Sequence, residues 1–329
     1  MNLLWLQSGG CGGCTLSWLG SEWGSLFATL ADAGIEIVWH PSLSEASAGE
    51  ALAILEGCAD GSRPFDVLCV EGSLLRGPQG SGRFHILSGT GRPMIEWVTR
   101  LAAQARHVVA VGSCAAFGGV TAGGANPTDA CGLQYENAEP GGLLGANFRA
   151  PGGLPAINVA GCPTHPDWVT ETLLALARDE MKRDDLDELA RPRFYTDVLV
   201  HHGCKRNEFY EFKASAQQNG EQGCLMEHLG CKGTQAHADC NIRPWNGGGS
   251  CIDGGYACIR CTEPGFEEPG HLFMATPKVA GIPIGLPLDM PKAWFVALAA
   301  LSKSATPERV RQNAVSETAL PWPKTVKKA

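Results

Sequence analysis

The sequence has little charge and no long apolar run. Only 18% of its 329 residues are charged, and the longest uninterrupted apolar stretch is the nine residues from Ala293 to Leu301. A helix needs about 20 such residues to span a bilayer, so no membrane insertion is expected. Basic residues are in deficit, 26 Lys plus Arg against 34 Asp plus Glu, for a formal charge of -8. Nucleic-acid binders rely on clustered positive charge, so no nucleic-acid partner is expected. Leu3-Leu4-Trp5-Leu6 follows Met1 with no basic n-region and no twin-arginine leader, which points to a cytoplasmic location. Neither Gly80-Ser81-Gly82 nor Gly89-Thr90-Gly91 completes a dinucleotide-binding or Walker A loop, and no G-x-S-x-G elbow marks a hydrolase.

Cysteine is abundant instead, with 14 residues. A reducing compartment rarely keeps disulfides, so this much thiol argues for metal ligation. Cys58, Cys69 and Cys131 carry no motif and read as small buried apolar residues. At this length about two domains are expected. Residues 1 to about 180 alternate short apolar runs, Gly-rich turns and segments of helical spacing. The runs are Leu3 to Leu6, Ile35 to Trp39, Asp66 to Val70, His107 to Val111 and Ala156 to Val159. Continuous apolar runs suit parallel strands buried on both faces, so this half is predicted to be an α/β, doubly wound parallel sheet. Leu16, Leu19, Trp23, Leu26, Phe27 and Leu30 predict a helix stopped at Gly34, and Trp168 to Met181 predicts another after Pro166-Asp167. The charge-rich segment from Lys182 to Arg193 reads as a solvated linker. This divides the chain into residues 1–191 and 192–329. Beyond the division periodicity fades while Gly, Pro and Cys accumulate, which predicts a smaller, irregular domain folded around metal.

Cys11 and Cys14 follow the first predicted strand, Glu71 the third, Cys114 the fourth and Cys162 the fifth. In an open α/β sheet the carboxyl ends of the strands line one edge, where ligands collect at the switch point. Four thiolates far apart in sequence can therefore converge there. The second half adds His201, Cys204, Cys224, Cys231, Cys240, Cys251, Cys258 and Cys261. Twelve ligands divide into three four-ligand centres. The count alone permits three zinc ions, which would make the chain a zinc-stabilised scaffold, or iron-sulfur clusters. His202 adjoins His201 and is its alternative as a ligand. The other histidines, His40, His85, His107, His165, His228, His237 and His271, lack complete ligand sets.

The succession C-G-G-C, V-E-G-S, G-S-C-A, G-C-P, H-x-x-C, C-N-I-R-P-W-N and C-I-R-C-T-E-P-G-F resembles the small, electron-transferring subunit of nickel-iron hydrogenases over nearly the whole chain. The resemblance implies a flavodoxin-like first domain and three iron-sulfur clusters. The proximal cluster would take Cys11, Cys14, Cys114 and Cys162, the medial one Cys240, Cys251, Cys258 and Cys261, and the distal one His201, Cys204, Cys224 and Cys231. Glu71 matches a family glutamate linked to proton movement, and reads equally as a carboxylate bonding loop amides. Oxygen-tolerant membrane-bound relatives carry two extra cysteines where this chain has Gly13 and Gly119, so a six-cysteine proximal centre is excluded. Many relatives have proline at the position of Cys251 and hold a [3Fe-4S] medial cluster. A fourth thiolate here favours a cube, so all three clusters are expected to be [4Fe-4S].

The resemblance further implies a partner large subunit carrying the nickel-iron centre, with no H2 chemistry in this chain. Within the family it is closest to the regulatory H2-sensing branch, which adds a sensor histidine kinase as a partner and is compatible with a dimer of heterodimers. A cytoplasmic uptake hydrogenase is the alternative. The quinone-site subunit of respiratory complex I resembles only the first half. The end from Lys303 to Ala329 is expected to be an accessible tail, with a helix starting at Thr306-Pro307.

Overall fold

The computed structural model describes all residues except 22–24, 246–247, 269–272 and 318–329. Five parallel strands form one sheet: β1 (Asn2–Gln7), β2 (Glu36–Trp39), β3 (Val67–Glu71), β4 (His107–Val111) and β5 (Ile157–Val159), in the spatial order β2-β1-β3-β4-β5. These are the five runs expected from composition. The order reverses beside β1, which places a switch point between β1 and β3.

Alternate residues of each strand face opposite layers, and both layers are apolar. Leu4, Leu6, Leu68, Val70, Val108 and Ala110 pack beneath helices α3 (Ala48–Asp60) and α4 (Met94–Gln104). Leu3, Trp5, Val67, Cys69, Val109 and Val111 face α1 (Gly13–Trp18), α2 (Leu26–Asp32) and α6 (Pro166–Ala177), with the short α5 (Ser113–Phe117) following β4. Ser47 and Glu50 close a reciprocal capping box on α3, and α6 opens with a proline in its first turn.

Two expectations change. The helix predicted across residues 16 to 30 is two helices, α1 and α2; Trp23 lies outside the described residues. Leu16 and Phe27, counted in its apolar stripe, are exposed at 72% and 52%. The segment from Lys182 to Arg193 is solvated at its start, where Lys182 to Asp185 are exposed, but not throughout. Leu186 and Arg191 are buried, Ala190 accepts a hydrogen bond from the backbone of Asn158 beside β5, and Arg191 pairs with Asp187 and Glu263. Periodicity missed this because the ionic partner lies 72 residues further on.

The second half is built of short turns, as expected, and packs on the α6 side of the sheet, where Tyr195, Val200, Ala236, Ala238 and Ile252 extend the same core. Helices α7 (Lys292–Ala305) and α8 (Glu308–Ala314) close it. The expected helix after Pro307 is present, but it is docked: Val310 and Ala314 are buried, and the backbone of Gly223 bonds to that of Ala314. No helix among the described residues is long and apolar enough to cross a membrane.

Candidate metal centres

The carboxyl ends of three strands, β1, β4 and β5, bring Cys11, Cys14, Cys114 and Cys162 together. The Cys14 sulfur feels the charges of Cys114 and Cys162, Cys114 feels Cys162 and Cys11, and Cys162 feels Cys11. Glycine makes the convergence possible. A Cβ on Gly112, whose φ is 86°, would lie 2.4 Å from the Cys14 sulfur. Side chains at Gly13 and Gly119 would approach the sulfurs of Cys11 and Cys114 at 3.1 and 2.8 Å. The two positions where some relatives carry extra cysteines therefore adjoin this site.

Glu71 ends β3 fully engaged. Its Oε1 accepts the backbone N–H groups of Cys14 and Thr15 at 3.0 and 3.1 Å, and its Oε2 accepts from Trp5 Nε1, Gln7 Nε2 and the Thr15 hydroxyl. The carboxylate thus satisfies amides that open α1 and fixes the C-x-x-C loop. Glu71 bonds the loop amides, as one of its two readings expects.

In the second half, Cys240 feels the charges of Cys261 and Cys251, and Cys258 those of Cys240 and Cys261. A separate, small cavity is walled by His201, Cys204, Cys224 and Cys231. His202 faces away from it, with Nε2 2.7 Å from Asp289 and Nδ1 accepting from the backbone of Leu199. Of the two adjacent histidines, the cavity takes His201. His271 lies outside the described residues.

The three sets touch in sequence. The backbone N–H of Cys162 points at the Cys261 sulfur, and the Ser113 hydroxyl bonds the carbonyl of Cys261. At the other end Cys258 feels Cys231, whose sulfur accepts the backbone N–H of Cys258. The order is strand-end set, Cys240 set, His201 set.

The donor chemistry fits an iron-sulfur group. Burial pushes the thiols up, to about 11 at Cys114, Cys162 and Cys261 and about 12 at Cys224, and still further at Cys14 and Cys240. Desolvation of a thiolate is the leading cause at each, so positive charge must be supplied for these groups to ionise. A repeated motif supplies hydrogen bonds: the sulfurs of Cys11, Cys204 and Cys258 each accept the backbone N–H two residues on, at 3.4 Å. Such bonds tune cluster potentials. Among the described residues no three His, Cys, Asp or Glu side chains could hold a single metal ion. A closed zinc site needs four donors within about 2.3 Å of one ion, whereas a cube spreads its ligands over four irons.

Residues 196–274 match the family model of the C-terminal part of NiFe/NiFeSe hydrogenase small subunits, and residues 11–176 match that of the 20 kDa subunit of NADH ubiquinone oxidoreductase. The chain is 31% identical over 326 residues to the F420 non-reducing hydrogenase I small subunit of Methanosarcina mazei, covering 91% of this chain and 82% of that one. This chain belongs to the nickel-iron hydrogenase small subunits. It is also 31% identical to the periplasmic NiFeSe hydrogenase small subunit of Desulfomicrobium baculatum, covering 81% of this chain and 84% of the relative. Its fold superposes on the actinobacterial-type NiFe-hydrogenase of Ralstonia eutropha with a TM-score of 0.75 at 30% identity, covering 92% and 90% of the two chains. As a hydrogenase small subunit it transfers electrons, pairs with a large subunit that contains the active site, and belongs to a group of proteins that carry iron-sulfur clusters. The complex I likeness is confined to the first half, and the second match sets the hydrogenase apart from it.

Sequence reasoning missed one group near these sites. Arg191, Asp187 and Glu263 form an ion-pair cluster next to Thr262 and the Cys258-x-x-Cys261 loop, and the backbone N–H of His237 bonds Glu263. No motif marks it; only the position of Glu263 two residues after Cys261 could have drawn attention to it.

Proposed function

We propose that this small subunit holds three clusters, all of [4Fe-4S] type: Cys11, Cys14, Cys114 and Cys162 at the strand ends, Cys240, Cys251, Cys258 and Cys261 in the middle, and His201, Cys204, Cys224 and Cys231 beyond. The observation that carries this is the contact order, with Cys162 against Cys261 and Cys258 against Cys231. Bound there, the clusters would supply one-electron redox chemistry. The chain's own residues exclude water from the thiolates, aim N–H groups at their sulfurs and, through Glu71, hold the first ligand loop in place. An imidazole in place of a thiolate removes a negative charge at His201 and raises the potential there, as in Rieske centres, which suits the end of a relay.

The large subunit belongs over the strand-end set. Leu16, Leu19 and Val120 are exposed beside it at 72%, 41% and 61%, and Leu16 and Leu19 share a depression with Cys11 and Glu71. In this reading the chain is cytoplasmic and serves H2 sensing, read by a sensor histidine kinase from a dimer of heterodimers. The support is the glycine pair at 13 and 119, which leaves the first site without the added thiols of respiratory relatives, and the buried, unpaired Cys58, Cys69 and Cys131, which suit a reducing compartment.

Anaerobic co-purification with the large subunit, followed by iron and acid-labile sulfide analysis, tests the clusters; stoichiometric zinc without labile sulfide would overturn them. For the middle set, Cys251→Pro should convert the centre to [3Fe-4S] and raise its potential, and a [3Fe-4S] signal in the undamaged wild type would remove Cys251 from the ligands. Slow H2 turnover together with kinase binding supports sensing. Rapid turnover without kinase binding assigns the protein to uptake.

A further inference from the structure

A second cavity, of about 320 Å³, lies between α7 and the short hairpin of Lys278–Val279 and Ile282–Pro283. That volume is in the range of small-molecule sites. Tyr210, Cys224 and Met226 wall both this cavity and the smaller one around His201, Cys204 and Cys231. One side-chain layer therefore separates the two. The Tyr210 ring makes the join: it meets the His201 ring edge-on at 4.2 Å and carries the Lys213 ammonium 3.7 Å from its centroid.

The lining selects a ligand. Ile282, Pro283, Val296 and Ala300 are aliphatic, and Tyr210 and Phe295 are buried rings. Three lysines, Lys213, Lys278 and Lys303, face one carboxylate, Glu227, so the cavity is net positive. Glu227 is occupied by Lys278 at 2.6 Å, Ser215 at 3.0 Å and Lys303 at 4.0 Å. Lys213 rests on the faces of Tyr210 and Phe295, and among the described residues no carboxylate or carbonyl oxygen bonds its Nζ. Its backbone is also unusual. With φ at 53° it occupies the left-handed region that ends helices at glycine, and a lysine there is strained. Strain of this kind collects at functional positions.

We propose that this cavity binds a planar electron acceptor of the quinone class, its ring among the aromatic and aliphatic walls and a carbonyl oxygen on Lys213 Nζ. The proposal rests on reading His201, Cys204, Cys224 and Cys231 as the last cluster of the relay. The acceptor becomes a hydroquinone by taking two electrons, delivered singly from H2 oxidised in the large subunit, and two protons. One proton comes from the Lys213 ammonium, which recovers it from solvent, and the other comes from water. An acceptor that exchanges serves uptake, and one that stays bound records the redox state for a sensor.

The test is calorimetry on the anaerobic heterodimer, with a sulfonated naphthoquinone as probe and uncharged menadione as comparison. Saturable binding is expected for both. Val296→Trp, or Ala300→Phe should the first variant misfold, should weaken both at least tenfold, and Lys213→Met should weaken the sulfonated probe more than menadione. The same cavity-filling variant should lower the ratio of H2-dependent quinone reduction to H2-dependent viologen reduction at least tenfold, because a dicationic viologen is repelled by the net positive cavity. Absence of saturable binding, or unchanged affinity in a folded cavity-filling variant, would overturn the proposal. Iron and acid-labile sulfide are counted on the same preparation, so a fully loaded heterodimer that binds no quinone overturns the site alone, whereas a folded heterodimer without labile sulfide overturns the cluster reading.

Discussion

At Gly112 the first candidate site depends on a missing side chain. The residue opens α5 in the left-handed region, and the space its Cβ would need is occupied by the Cys14 sulfur. Gly112→Ala must therefore move a ligand. The expected outcome is a folded protein with about two thirds of the wild-type iron, the other two sets keeping theirs; full iron content would mean that Cys14 is not a ligand. His40 offers a residue-scale prediction about pH. It is buried against Trp5 and Trp18, its Nδ1 accepts from the backbone of Ser42 at 3.0 Å, and burial lowers its pKa to about 4 from 6.5. Below 6.5 the unfolded chain takes up a proton that the folded ring refuses until about 4. Stability should therefore fall as pH drops through that window. His165, lowered to about 4 by the same cause, contributes likewise. A His40→Gln variant should show a shallower loss between those limits in denaturant titrations, and an unchanged slope would contradict the assignment. Legibility at this scale was uneven. The cysteines stood out because their chemistry is rare, whereas the close approach at Gly112 depends on two loops that meet only after the sheet has formed.

Among elements, the five strands could be read from sequence because each is a short apolar run ended by Gly or Pro, and burial on both faces makes the run continuous. The helix across residues 16 to 30 could not be read correctly, since exposed apolar residues such as Leu16 and Phe27 keep the same periodicity as ones facing the core. The segment around Arg191 failed for a related reason: Arg191 looked solvated, but it is buried and one of its ionic partners, Glu263, comes from the other half. Arg191 bonds Asp187 at 2.8 Å, Glu263 at 2.9 Å and the Thr262 carbonyl at 2.9 Å. These contacts fasten the Cys258-x-x-Cys261 loop to the edge of the sheet domain. Desolvation works against both charges, yet their mutual attraction keeps Arg191 raised and Glu263 lowered. Removing one member of such a pair leaves a buried charge alone, at a cost of about 3–5 kcal/mol. Arg191→Met should lose about that much stability by chemical denaturation and should be cut by protease between the halves sooner than wild type. A variant within about 1 kcal/mol of wild type would show that the cluster is solvated in solution.

Across the whole molecule the two halves are held by different forces. The first has a sheet with an apolar layer on each face, the usual basis of a stable α/β domain. Beyond the few residues it adds to the sheet's core, the second has three small clusters of three buried side chains each, and thiols recur at their edges: Cys224 and Cys231 beside Tyr210, Met226 and Phe295, and Cys231 again beside Ala216, Leu225 and Ala257. Where a metallo-domain lacks an apolar core, metal binding free energy is folding free energy. Stripping the heterodimer with an iron chelator under reducing conditions should therefore act unevenly. Amide hydrogen exchange in β1, β3 and β4 should remain slow, while protection around Asn207–Glu211 and Met226–Leu229 should be lost. The first ligand loop makes an internal control, because Glu71 bonds its amides whether or not metal is bound. Exchange at Cys14 and Thr15 should rise less than at Cys231 and Arg260, whose surroundings have no comparable carboxylate. Equal protection of both halves after complete iron loss would show that the second half folds on packing alone, and its thiols would then be ligands on a framework that does not need them.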